Sequence, residues 1–208
     1  LCRFKPDGTG DWARFAHDIT FQYPVVIADH AGHAYLGGNI ADSTSWGGIW
    51  LNGADWMSAT FLAKADSTGQ FLWGVTSDPV GGTITGDMEA GTRSCLAVDG
   101  AGIPYLTGSV RGVVDWGNGV TSVAGAVTDH AQTIVAFDPD GTPQWTSTSA
   151  PTGFVSSQTI TCPANGTLYF SNHSNDVFSF PPLQTGASGV QSFTIGRITD
   201  PSTGMPKP

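Results

Sequence analysis

Charge is what this chain is most short of. Charged residues make up 12% of its 208 positions, about half the usual share. Lys and Arg number 8 against 17 acidic residues, for a net charge of −9. A protein that neutralises phosphates needs a basic face, so nucleic acid is excluded as a partner. The same imbalance sets the chain against an anionic membrane surface. No stretch approaches the roughly 18 consecutive apolar residues of a membrane span. Glu occurs once (Glu89), and Lys only as Lys5, Lys64 and Lys207. Helix faces are built largely from such residues, so their scarcity argues against a helical fold. Cysteine is also sparse. Cys2, Cys95 and Cys162 are an odd set at non-equivalent positions, so they form no repeated disulfide framework. One bridge plus one thiol, or three thiols, are both open. Missing too are a nucleophile elbow of the Gly-x-Ser-x-Gly type and any evident partner for His17, His130 or His173. The chain opens on Leu1 without an initiator Met or a signal-like leader, and is expected to be a processed chain or a piece of a longer one. The low charge leans toward an extracellular or cell-surface setting.

What is present is glycine (28 residues), aromatics (11%) and seven Trp. They recur in order. FLAKADSTGQFLW (Phe61–Trp73) reads as an apolar strand, an Asp-x-x-Gly turn and a return strand ending in Trp. CRFKPDGTGDW (Cys2–Trp12) and IVAFDPDGTPQW (Ile134–Trp145) repeat it, and FTIGRITDPSTG (Phe193–Gly204) is a degraded copy. The turn glycines are Gly8, Gly69, Gly141 and Gly204. A second landmark is Gly-x-x-Tyr: Gly32/Tyr35, Gly102/Tyr105 and Gly166/Tyr169. A third is an aromatic beyond each Tyr: Trp46, Trp116 and Phe180. Alternating, β-branched and aromatic segments bounded by Gly, Pro, Asp and Asn predict four short strands per unit. The units run over approximately 13–73, 74–145 and 146–204, within one domain spanning 1–208. Expected strands in the third unit are Gln158–Cys162, Thr167–Ser171, Val177–Phe180 and Phe193–Ile198. The stretch Pro79–Thr92 reads as an inserted, exposed loop. A four-stranded sheet of this size cannot bury both faces alone, so the units must stack. The expected fold class is all-β: a β-propeller of four-stranded antiparallel blades, about three of them in this chain.

The string LAVDGAGIPYLTGSVRGVVDWGNG…TIVAFDPDGTPQW resembles the β-propeller repeat of secreted bacterial proteins (SBBP type). The matching residues are Asp99, Gly102, Tyr105, Gly108, Trp116, Gly117, Asp138, Gly141 and Trp145. In the first unit they are Asp29, Gly32, Tyr35, Gly38, Trp46, Gly47, Lys64, Asp66, Gly69 and Trp73. The third unit departs, with Pro163 for the Asp, Asn172 for the Gly and no terminal Trp. The resemblance implies a propeller with a non-catalytic extracellular role, in adhesion or surface assembly. Ala63–Trp73 also resembles the tryptophan-docking repeat of quinoprotein dehydrogenases. That alternative implies a quinone cofactor with calcium and often an adjacent Cys pair, which this chain lacks.

Candidate chemistry is thin. Asp29-His30-x-x-His33 is a compact set of ligand-type residues, but zinc needs a third and fourth partner. It reads as a solvated turn. Asp138-Pro139-Asp140-Gly141 lacks the remaining oxygens of a calcium loop and also reads as a turn. Asp87 and Glu89 are two carboxylates on the expected loop. Asn165-Gly-Thr and Asn172-His-Ser fit the glycosylation pattern but read as chance matches in turns. No catalytic residue, metal site or cofactor is expected. Trp12, Trp73, Trp145, Trp46 and Trp116 fall on repeat phases and are assigned to packing. Trp50 and Trp56 are off phase, in GGIWLNGADWMS. They are the candidate binding residues, for a glycan or protein partner. Self-association with further blades or chains is the other expected partnership.

Overall fold

A computed structural model describes residues 1–20, 24–53, 59–79 and 86–199. The strands in chain order are β1 (Cys2–Phe4), β2 (Gly10–Ala13), β3 (Val25–Ala28), β4 (Ala34–Ile40), β5 (Thr44–Trp46), β6 (Ile49–Leu51) and β7 (Ala59–Ala65). Next come β8 (Phe71–Thr76), β9 (Asp78–Pro79), β10 (Gly86–Ala90), β11 (Leu96–Val98), β12 (Pro104–Asp115), β13 (Thr121–Val123) and β14 (Ala131–Phe137). The last are β15 (Pro143–Thr148), β16 (Val155–Ala164), β17 (Thr167–Ser174), β18 (Phe178–Phe180), β19 (Leu183–Thr185) and β20 (Ser192–Thr199). The described residues contain no helix, and the fold is all-β with several antiparallel sheets.

Three sheets carry the structure. The first runs β3-β4-β7-β8, the second is built on β12 with β10, β11, β14 and β15, and the third runs β16-β17-β20. Hairpin β1–β2 precedes them. Each four-residue hairpin turn is set locally. Asp66 Oδ1 accepts the amides of Thr68 (2.8 Å) and Gln70 (3.0 Å), and Asp138 Oδ1 does the same for Asp140 and Thr142. Such side-chain bonds replace the backbone partners that a turn removes. The register shift beside the turn recurs too, at Arg3/Phe4, Lys64/Ala65 and Ala136/Phe137.

The apolar core lies in layers between sheets. One face of the first sheet (Tyr35, Leu62, Trp73, Val75) meets the second sheet through Leu106, Val135, Phe137 and Trp116. The far face of the second (Tyr105, Ile134, Ala136, Trp145) meets Ile160, Leu168, Phe170, Phe178 and Phe180 of the third unit. The phase aromatics pack in the core, Trp116 and Phe180 in these layers and Trp46 on the opposite face of the first sheet. Trp46 stands edge-on to Phe61 at 4.9 Å, Trp116 to Phe137 at 5.7 Å, and Phe180 lies 5.1 Å from Phe170.

Two expectations are corrected. The segment read as an exposed loop at Pro79–Thr92 contains strand β10, paired with Ser109 and its neighbours on β12. Met88 is fully buried there. Gly, Asp and Glu mask its strand character, which comes from the partner edge. In the third unit, β18 joins β19 in a separate hairpin, and β20 takes the place beside β17.

Candidate functional site

The first landmark turn builds a cleft between the first two sheets. Asp29 follows β3 directly, and its Oδ1 accepts the amide of His33 at 2.9 Å. Its Oδ2 lies 2.8 Å from His33 Nδ1 and 3.3 Å from the Tyr35 hydroxyl. A carboxylate only accepts, so His33 Nδ1 carries the proton and donates. Burial alone would raise the Asp29 carboxyl, but the hydrogen bonds from the His33 ring and amide outweigh it and hold it below its ordinary value. Burial, reinforced by the Asp29 charge, pushes the Tyr35 phenol well above its usual range. The Tyr35 hydroxyl also reaches Gly102 O of the next unit at 3.3 Å. Lys64, on β7, donates to Pro139 O at 3.0 Å and sits 5.2 Å from the Tyr35 ring, a cation–π distance. The cleft they border, with His30 and Gly102, has a volume of about 420 Å³.

The second interface shows which of these groups the architecture needs. There Asp99 caps the amides of Ala101 and Ile103 (2.9 Å each), and Tyr105 lies tilted against Trp145 with ring centroids 6.2 Å apart, the distance at which Tyr35 meets Trp73 edge-on. Ile103 stands in place of His33, and Ala136 pairs with Tyr105 where Lys64 pairs with Tyr35. Asp and Tyr belong to the repeat, whereas His33 and Lys64 are particular to the first interface. The Asp29 carboxylate is committed to its turn and to His33, and the Lys64 ammonium to Pro139. The recess they border mixes these polar groups with Ala31, Ala101 and Pro139. His30, Ala31 and Gly32 are exposed, as a solvated turn implies, while the Asp29 side chain is only 8% exposed. Among the described residues no three His, Cys, Asp or Glu side chains come together for a metal.

Trp50 is 62% exposed on hairpin β5–β6, and its Nε1 donates to Asn52 Oδ1 at 2.8 Å. The ring is thereby held in water by a neighbouring amide. Trp56 lies outside the described residues, so no pairing of the two is described. Asp87 and Glu89 are not a free carboxylate pair. Arg111 Nε donates to Asp87 Oδ1 at 2.7 Å, and its Nη2 lies 3.9 Å from Glu89. All three cysteines are free thiols, exposed at Cys2, buried at Cys95 and intermediate at Cys162. Asn172 is wholly buried with its amide on Gln132, which closes it to glycosylation. Asn165 is exposed and accepts from Gly100 N.

Sequence reasoning missed the lock between units. Trp12 Nε1 and Arg3 Nη1 both donate to Ser67 O, at 2.9 and 2.6 Å. Trp73 Nε1 and Lys64 Nζ both donate to Pro139 O, at 3.0 Å each. In each case the Trp ring lies on the turn glycine: a Cβ at Gly69 would stand 2.7 Å from Trp12, and one at Gly141 2.7 Å from Trp73. The repeated Trp and Gly were legible separately, but nothing in the spacing said that they meet across units.

No protein-family model matches this chain. A comparison with curated proteins finds no match either.

Proposed function

We propose that the chain is part of a radial β-propeller array that acts outside the cell as a non-catalytic scaffold and binding module. One observation supports the radial reading: the second and third sheets are joined by backbone bonds at their first strands, while Trp rings and hairpin turns lie between sheets at the outer strands. At the first strands, Arg93 N donates to Gln158 O at 2.9 Å and Ile160 N to Ser94 O at 3.0 Å. Strands β3, β11 and β16 border a common space of about 430 Å³ through Ile27, Leu96 and Ile160. At the outer strands, Trp rings and hairpin turns stand between the sheets. Sheets wedged in this way curve into a ring, whereas evenly spaced ones stack linearly.

Binding is assigned to exposed material outside the repeat. Trp50, ordered by Asn52, offers a flat ring for a sugar face or a protein side chain. A glycan array probed with the wild-type chain and with Trp50→Ala tests this. Binding lost in the variant at unchanged thermal stability is the expected result. Silence of the array, or binding indifferent to the substitution, removes the sugar reading. A quinone-dehydrogenase reading requires cofactor absorbance and dye reduction, and colourless, inactive protein removes it.

A further inference from the structure

We propose that the uncovered face of the third sheet docks the β1–β2 end of a second copy of this chain. Three register-equivalent positions carry the argument. Leu62 pairs with Gly37, Ile134 with Thr107 and Ile195 with Ser171. Leu62 and Ile134 are fully buried by the next sheet, but Ile195 is 72% exposed. Tyr35 and Tyr105 are likewise buried, while their counterpart Tyr169 is 40% exposed and its neighbour on the same face, Phe193, is 64% exposed. The third sheet thus presents the face that the first two bury. A surface of this kind on a soluble chain marks a partner site.

The other end of the molecule presents the opposite face. Cys2 and Phe4 on β1 are equivalent to Ala63 and Ala65, because the hairpins share their turn bonds and register shift. Ala63 and Ala65 are buried, whereas Cys2 is exposed and Phe4 is 64% exposed. One chain therefore carries parts of both sides of an interface like those within it, three strands at one end and a two-stranded hairpin at the other. The basic half of the polar lock is present as well, without its Trp. Arg197 pairs with Tyr169 as Lys64 pairs with Tyr35. It is exposed, and its target in a second copy is Pro6 O, the counterpart of Ser67 O and Pro139 O. Asp7, next to Pro6, adds opposite charge to the contact. The pairing is heterologous, head to tail, and gives a ring if the rotation closes and a filament if it does not.

The contact itself follows from the internal interfaces, and only the ring shape rests on the propeller reading. Light scattering of the purified chain, wild type and two surface variants, tests it. Wild type is expected to run as a multiple of the chain mass. Ile195→Asp and Phe4→Asp are each expected to run as single chains with an unchanged circular dichroism spectrum. Mixed together they are expected to form a heterodimer and nothing larger, since one intact interface remains. Monomeric wild type overturns the proposal, as does an assembly insensitive to either variant. Electron micrographs of the wild-type assembly separate the two readings: rings support both, and open filaments keep the docking while removing the radial array.

Discussion

The two interfaces between sheets have the same plan and different chemistry. Each joins an Asp-capped turn, a Tyr and a Trp, with Tyr–Trp ring centroids 6.2 Å apart. The first adds His33 and Lys64; the second has Ile103 and Ala136 at those places. An apolar pair suffices to close the interface, so the polar pair is not demanded by folding. The comparison separates what stacks the sheets from what gives one cleft its character.

Breaking the shared part has the largest expected effect. Trp73→Ala removes the ring lying on Gly141 and is expected to destabilise by about 3 kcal/mol, the low end for Trp truncation because the ring is half-buried. Denaturant unfolding measures it. Gly141→Ala approaches that cost, about 2–3 kcal/mol, because φ is +88° and the new methyl meets Trp73. Gly117, with φ +87° and open space around it, is the control: Gly117→Ala is expected to cost about 1 kcal/mol. Equal losses at both glycines would mean that the ring contact adds nothing. Next is Tyr35→Phe, which removes a hydroxyl held at 3.3 Å by Asp29 and Gly102, worth about 1 kcal/mol.

Acid distinguishes the interfaces further. The Asp29 carboxyl lies below its unfolded value of 3.8. Its contribution to stability is therefore complete above pH 3.8 and is lost as pH falls through the depressed folded value. His33→Ile copies the second interface, raises that carboxyl and is expected to flatten the fall in melting temperature at low pH. An unchanged profile would detach His33 from Asp29. The smallest expected effect is that of Lys64→Ala, within about 1 kcal/mol, since Ala136 already serves at the matching position. Thiol labelling at neutral pH reports the same regions without mutation. Burial pushes the Cys95 thiol up to about 12. Exposed Cys2 is expected to react first, Cys162 more slowly, and Cys95 only on unfolding.

The strands were legible to the extent that their signals were local. The strand, turn and return strand read in Phe61–Trp73 emerged as β7 and β8, because Asp66 and Gly69 settle that hairpin by themselves. Strand β10 was illegible, since its pairing comes from the far half of β12. Of the candidate binding residues, Trp50 stands exposed. The cleft at Asp29 was half legible. Its turn was visible in the spacing, but Lys64 reaches it from a later strand of the same sheet and Pro139 from the next unit.

By itself the sequence determined the all-β character, the hairpins, the turn glycines and the phases of the Trp residues, because each depends on neighbours a few positions away. Tertiary structure alone decided that Trp12 and Trp73 each lie on the next unit's glycine, that β10 is core, and that Ile195 is bare while Leu62 and Ile134 are covered. Equivalent residues on equivalent strands differ there only in what stacks against them, and stacking is a contact between units that no single unit encodes.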